Sequence, residues 1–282
     1  MSPPAEDRFL RYLTEMRPLT FTAGVAAGAW LVHEHRARQR GERFAAAALE
    51  SLLKAIDAND PQTGAHVRRV ARYALILADA IGLDEETRRT IELGALFHDI
   101  GKIHEALFDI VHEQRKLTPK ERRAIATHPV RGAQVLAPIA HFHKALTDAV
   151  VAHHERWDGS GYPRGLRATA IPFPARVIAI ADTFDAVTHD RRYRDGRTAH
   201  EALKIILHGR GTQFDPQLVD LLLLPPVLEQ MSRAHREVSR RRTLLPNRRD
   251  NHGVENAPNV SFRWRGRSDP PARVGEKMSA AR

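Results

Sequence analysis

The stretch Leu93-Gly94-Ala95-Leu96-Phe97-His98-Asp99-Ile100-Gly101-Lys102 decides how the chain reads. Apolar and small residues run straight into a histidine and an aspartate, and a lysine follows one turn later. This pattern predicts the end of a buried helix, where an imidazole and a carboxylate are costly unless something compensates for them. Lys102 places a cation on the same face. Taken alone, the pair reads either as a core ion pair with a hydrogen-bonded histidine or as part of a functional site.

Working outward, His153-His154 closes a second apolar stretch, Ala149-Val150-Val151-Ala152. Adjacent helix positions point about 100° apart, so one doublet reaches two neighbouring ions more easily than it chelates one. Two such doublets suit a binuclear centre with metals ~3.5–4 Å apart. Asp182 ends a third apolar run, Val177 to Ala181, and Asp185 lies one turn beyond it. His66 opens an apolar-faced helix reaching Ile81, and His128 precedes Pro129 at a helix boundary. Together these residues offer imidazole and carboxylate ligands and no thiolate. That set suits iron or manganese, with zinc, cobalt and nickel compatible. His104, His112, His141, His143, His200 and His208 sit in mixed polar surroundings and are expected at the surface.

Composition points the same way. The 282 residues include 16 histidines and no cysteine, which excludes disulfides, iron–sulfur clusters, Cys-type zinc sites and thiol nucleophiles. The net charge of +10 suggests a polyanion binder, but its distribution weakens that reading. Residues 44–230 carry 24 basic and 24 acidic residues, whereas residues 231–282 carry 13 and 5. The chain is therefore divided into an N-terminal helical extension (1–43), a folded domain (44–230) and an Arg-rich tail (231–282) expected to be largely disordered. The tail reads as a solvated extension or as an arm for nucleic acid or anionic lipid.

No stretch of 18 apolar residues exists, which excludes a polytopic membrane protein. The uncharged run Pro18 to Val32 would rise about 22 Å as a helix, short of the ~30 Å hydrocarbon core. It leaves a weak membrane anchor open beside the plainer reading of a packed helix. Glu6, Asp7 and Glu15 argue against a cleaved signal before Ala27-Gly28-Ala29. A cytoplasmic protein is expected, with membrane association only through this segment.

The middle segment reads as helices throughout. Thr118-Pro119-Lys120-Glu121 is a capping box with proline at the first helical position, and Asp215-Pro216 is another start signal. The Gly- and Pro-rich stretch Trp157 to Pro174 breaks the pattern as a long loop, and such loops tend to carry function.

His66, His98-Asp99 and Asp182 resemble the H…HD…D pattern of the HD phosphohydrolase superfamily. The match is closest to its HD-GYP branch, the cyclic di-GMP phosphodiesterases. The supporting segments are Asp60-Pro61-Gln62-Thr63-Gly64-Ala65-His66 with Arg69-Val70, His98 to Lys102, and Thr127-His128-Pro129. His153 to Pro163, Ala181-Asp182 with Asp185, Asp190-Arg191-Arg192-Tyr193-Arg194 and Gly211 to Pro216 complete the series. The resemblance covers about residues 45–226.

The resemblance implies an all-α HD-domain helical bundle with a C-terminal GYP helical extension. It implies metal ligands at His66, His98, Asp99, His128, His153, His154 and Asp182, with Asp99 bridging two divalent ions. It implies Lys102 at the scissile phosphate, and substrate contacts from Tyr162, Arg191 and Arg194. Asp185 is a candidate for orienting a ligand from behind. The implied chemistry is two-metal hydrolysis of cyclic di-GMP to pGpG or GMP. Gln62 stands where trinuclear members carry a glutamate, which favours two metals. Ile103 to Asp109 replaces the family's Gly-Ile-Pro lid segment, and Arg192 replaces a proline. The residues before 44 leave no room for a receiver or GAF sensor, so regulation is expected through the termini or another protein. Protein partners in signalling and a homodimer remain open. Two alternatives stand beside the phosphodiesterase: a phosphohydrolase for another nucleotide, and a catalytically weak module that binds cyclic di-GMP.

Overall fold

A computed structural model describes residues 5–103, 118–140, 143–190 and 196–244. Caps in the sequence set most helix boundaries. Helix α1 (Ala5–Asn59) gives way to α2 (Pro61–Ile81) at Asp60, whose carboxylate accepts from the Gln62 amide at 2.9 Å. Gly82 closes α2 in the left-handed conformation at φ 75°, and Asp84 then caps α3 (Glu85–Phe97) through the Thr87 amide. A 3₁₀ turn, Ile100–Ile103, follows α3. Thr118 and Glu121 form the expected capping box at α4 (Pro119–Ile125). Beyond it come α5 (His128–Leu136), α6 (Lys144–Ala152) and α7 (Phe173–Thr188). A second capping box, Thr198 with Glu201, starts α8 (Ala199–His208). Asp215 caps α9 (Pro216–Leu222), and α10 (Pro225–Leu244) ends the described chain.

Every regular element among the described residues is a helix, as the all-α reading expects. The chain divides between Leu49 and Glu50 into two compact units. In the first, the described residues belong to α1. The second holds the bundle.

Helix α7 is the centre of that bundle. Val177, Ile178, Ile180, Ala181 and Phe184 are all buried, so more than one of its faces is covered. Helices α2, α3, α6, α8 and α9 pack on it. Helix α2 contributes Val67, Val70, Ala74 and Leu77 at helical spacing, and α3 contributes Ile91, Leu93 and Ala95. Helix α5 packs on α6 and on the Ile100–Ile103 turn.

The bundle extends past the expected boundary at residue 230. Helix α10 runs to Leu244 and packs on α2, with Val227, Met231 and Ala234 buried. Their three- and four-residue spacing is a helical stripe that the surrounding arginines obscure in a composition count. Arg72 of α2 pairs with Glu237 of α10. The part of the expected tail after residue 244 lies outside the described residues. No helix among the described residues is long and apolar enough to cross a membrane.

Candidate metal centre

Three ligand candidates reach the carbonyls that end helices, His128 doing so from the first residue of α5. His98 is the C-cap of α3, His153 is the C-cap of α6, and His128 comes three residues after the end of α4. The last carbonyls of a helix lack intrahelical partners. Each of these histidines satisfies one: the Nδ1 of His98 donates to the Ala95 carbonyl at 2.8 Å, that of His128 to Ile125 at 2.8 Å, and that of His153 to Val150 at 2.6 Å. A carbonyl oxygen only accepts, so each Nδ1 carries the proton and each Nε2 presents a lone pair. His66 lies within α2, and its Nδ1 donates instead to Asp185 Oδ2 at 2.7 Å.

The Nε2 atoms converge on Asp99. Its Oδ2 lies 3.4 Å from His98 Nε2 and 3.8 Å from His66 Nε2, while its Oδ1 lies 3.3 Å from His128 Nε2. Asp182 Oδ1 is 3.3 Å from His66 Nε2 and 3.9 Å from His98 Nε2. Two groups of donors result, each with its atoms within 4.8 Å of one another: His66, His98 and Asp182, and Asp99, His128, His153 and His154. Asp99, a member of the second group, also lies within 3.8 Å of His98 and His66 of the first.

Divalent ions fit this donor set. His98 Nε2 and Asp99 Oδ1 are buried and make no hydrogen bond, an arrangement that costs free energy unless a cation meets it. Burial and the neighbouring imidazoles hold His153 well below the ordinary histidine range and bring His154 down to about 3, so both are neutral ligands near pH 7. Burial opposes ionisation of Asp99 and Asp182, yet Lys102, His98 and His128 at Asp99, and His66 and His98 at Asp182, outweigh it and keep both carboxyls ionised. At His66 burial is likewise outweighed, here by Asp182 and Asp185, which raise it to about 9.

Lys102 Nζ donates to Asp99 Oδ2 at 2.7 Å, which puts a cation at the mouth of the site. The turn that carries both residues approaches α5 closely at Gly101. A Cβ there would lie 2.1 Å from the His128 carbonyl oxygen, so only glycine lets the turn and α5 meet.

Tyr162 borders the second donor group. Its ring lies 4.9 Å from that of His154, and its amide donates to the His154 carbonyl at 3.3 Å. The loop carrying it is anchored on two sides. Glu155 is buried and accepts from the Arg164 and Leu166 amides at 2.7 and 3.0 Å. The Trp157 and Asp158 amides donate to the Gln213 and Thr212 carbonyls at 3.2 and 2.8 Å. These bonds tie the Gly-Tyr-Pro segment to the segment from Gly211 to Pro216, which explains why two stretches so far apart in sequence belong to one pattern.

The structure thus brings together His66, His98, Asp99, Lys102, His128, His153, His154 and Asp182, with Tyr162 at the edge and Asp185 behind His66. Arg191, Arg194 and most of the altered lid segment lie outside the described residues. Gln62 is exposed in the first turn of α2. His200 and His208 are exposed as expected, but His143 is half-buried at the start of α6, contrary to its surface assignment. Polar neighbours in sequence do not show that the fold folds over a residue. Sequence reading assigned no role to Arg69, His189 or Glu155. Arg69 stands in one of the segments that carry the resemblance, and Glu155 is an acid directly after two histidines at the end of an apolar helix; His189 has no such signal.

The HD domain family profile matches residues 50–218. The chain belongs to the HD domain family. Over 177 residues it is 40% identical to the cyclic di-GMP phosphodiesterase response regulator RpfG of Xanthomonas campestris pv. campestris, covering 62% of this chain and 46% of that one. It is 37% identical over 175 residues to the 3′3′-cGAMP-specific phosphodiesterase 2 of Vibrio cholerae, covering 61% of this chain and 33% of that one. The HD domain protein described here therefore spans less than half the length of either relative. A crystal structure of a cyclic GMP-AMP-specific phosphodiesterase from Vibrio cholerae matches with a TM-score of 0.50 at 23% identity, over 71% of this chain and 53% of that one. That likeness is one of fold.

Proposed function

We propose that this HD domain is a metal-dependent phosphodiesterase of cyclic dinucleotides, with cyclic di-GMP as substrate and pGpG or GMP as product. The observation that carries the reading is Asp99, whose two oxygens face two separate groups of imidazoles. His66, His98 and Asp182 would hold one divalent ion, His128, His153 and His154 a second, and Asp99 would bridge them. Iron or manganese suits these ligands best. Such a pair supplies a nucleophile from water at neutral pH and stabilises both the attacking and the leaving oxygen of an in-line displacement.

The chain's own groups do the rest. Lys102, whose Nζ lies against Asp99, would neutralise charge building on the scissile phosphate. Tyr162 lies beside His154 on what would be the substrate side, and the family resemblance gives Arg191 and Arg194 contacts to the substrate or its phosphates. Asp185 keeps His66 in the tautomer that ligates through Nε2.

A second substrate, 3′3′-cGAMP, is favoured by the names of relatives as similar as the cyclic di-GMP enzymes. The test is metal analysis of the purified protein with hydrolysis of both dinucleotides, products separated by chromatography. Two metals per chain and conversion of cyclic di-GMP to pGpG or GMP are expected. Faster turnover of 3′3′-cGAMP would move the specificity. A metal-loaded protein that binds either compound and leaves both intact would overturn the enzymatic reading.

A further inference from the structure

His98, His128 and His153 orient their rings by capping helix ends. His66 has no such device. It lies in the second turn of α2, where the carbonyl three residues earlier is already committed to the helix. Its ring must be held from outside, and the group that does so is Asp185 of α7, 1% exposed. A buried carboxylate is itself costly unless its oxygens are satisfied.

Three hydrogen bonds and one close imidazole contact satisfy it. Arg69 donates from Nε to Oδ1 at 2.6 Å and from Nη2 to Oδ2 at 2.9 Å, a two-pronged grip. His66 Nδ1 donates to Oδ2 at 2.7 Å, and His189 Nδ1 lies 3.1 Å both from Oδ1 and from the hydroxyl of Thr188, whose own proton goes to the Phe184 carbonyl. His189 is positioned in turn. It is the C-cap of α7, its amide donates to the Asp185 carbonyl, and the ring of His235 from α10 packs edge-on at 5.2 Å. With Arg69 and His189 in place, Asp185 has one orientation, and its free direction points at His66.

We infer that Arg69 and His189 are positioning residues for the ion held by His66, His98 and Asp182, acting through Asp185 on His66 and leaving the other ion alone. The asymmetry is the content of the inference. In the second donor group His128 and His153 are oriented by backbone carbonyls and His154 packs against the Tyr162 ring, and none of the three touches Asp185. The inference rests on the proposed two-metal reading of the site.

The test is a manganese(II) titration of the full chain, followed by electron paramagnetic resonance and competition with a chelator, and needs no turnover. Arg69→Met and His189→Phe are expected to weaken one of two sites by about 10–100-fold and leave the other unchanged. His189→Gln, whose amide can donate to Oδ1, should recover most of the loss. Circular dichroism establishes that each variant is folded, and the His189 pair decides alone if Arg69→Met does not fold. Equal weakening of both sites, no weakening of either, or fewer than two ions on the unmodified chain overturns the inference. An unmodified chain that binds two ions and hydrolyses no cyclic dinucleotide sinks the proposed function and leaves this inference standing.

Discussion

The Nε2 atoms of His128 and His153 face each other at 3.1 Å, both with their Nδ1 protons committed to backbone carbonyls. Two buried lone pairs at that distance repel unless a cation lies between or beside them. Metal binding is therefore expected to stabilise the fold. Removing metal with a chelator should lower the melting temperature by roughly 5–10 °C at a hundredfold ion excess over Kd, and readdition should restore it. Differential scanning calorimetry with metal analysis checks this. An unchanged melting temperature would mean that the ions do not bind here.

Asp99→Asn should empty both sites. The amide keeps the shape but loses the charge that two groups of imidazoles share. Metal content is expected to fall below one ion per chain and hydrolysis to become undetectable. The far-ultraviolet circular dichroism spectrum should not change. Retention of two ions would remove Asp99 from the centre.

Lys102→Met separates catalysis from binding. Lys102 Nζ competes for the Asp99 oxygen that an ion would take. Its loss should leave metal content at two ions or tighten binding, while kcat for cyclic di-GMP falls by about 10²–10³-fold. Loss of metal together with activity would make Lys102 a structural partner of Asp99 instead.

Gly101→Ala tests the close approach of the turn to α5. The added methyl meets the His128 carbonyl at 2.1 Å, and something must shift. A loss of about 1–3 kcal/mol is expected from overpacking. The displaced His128 should weaken the second site more than the first. Denaturant unfolding and metal titration measure the two effects separately.

Glu155→Ala frees the Arg164 and Leu166 amides. The Tyr162 loop should loosen, raising KM for cyclic di-GMP several-fold, with metal content unchanged. A change in metal content without a change in KM would assign Glu155 to the centre rather than to the loop.

Much of this arrangement is legible in the sequence because the chemistry breaks an apolar rhythm. His98-Asp99 and His153-His154 stand out at the ends of runs that would otherwise be pure core, and the structure places them side by side. The capping boxes at Thr118 and Thr198 mark helix starts in the same direct way. What stays hidden depends on pairing between distant elements. His189 is an ordinary polar residue, and Arg69 a motif position without a role, until α2 and α7 bring them to one carboxylate. Helix α10 is hidden for a different reason. Its arginines dominate any composition window, and the three buried positions that make it part of the bundle are too sparse to register.

Histidines that cap helix ends have a bearing on how ions come and go. The orientation of each ring is fixed by the same bond that stops its helix from fraying, so it is set when the bundle folds and before any ion arrives. The rings of His98, His128 and His153 would pay little ordering entropy at the moment of capture. Ions would then enter and leave without rearrangement of the main chain at these three ligands.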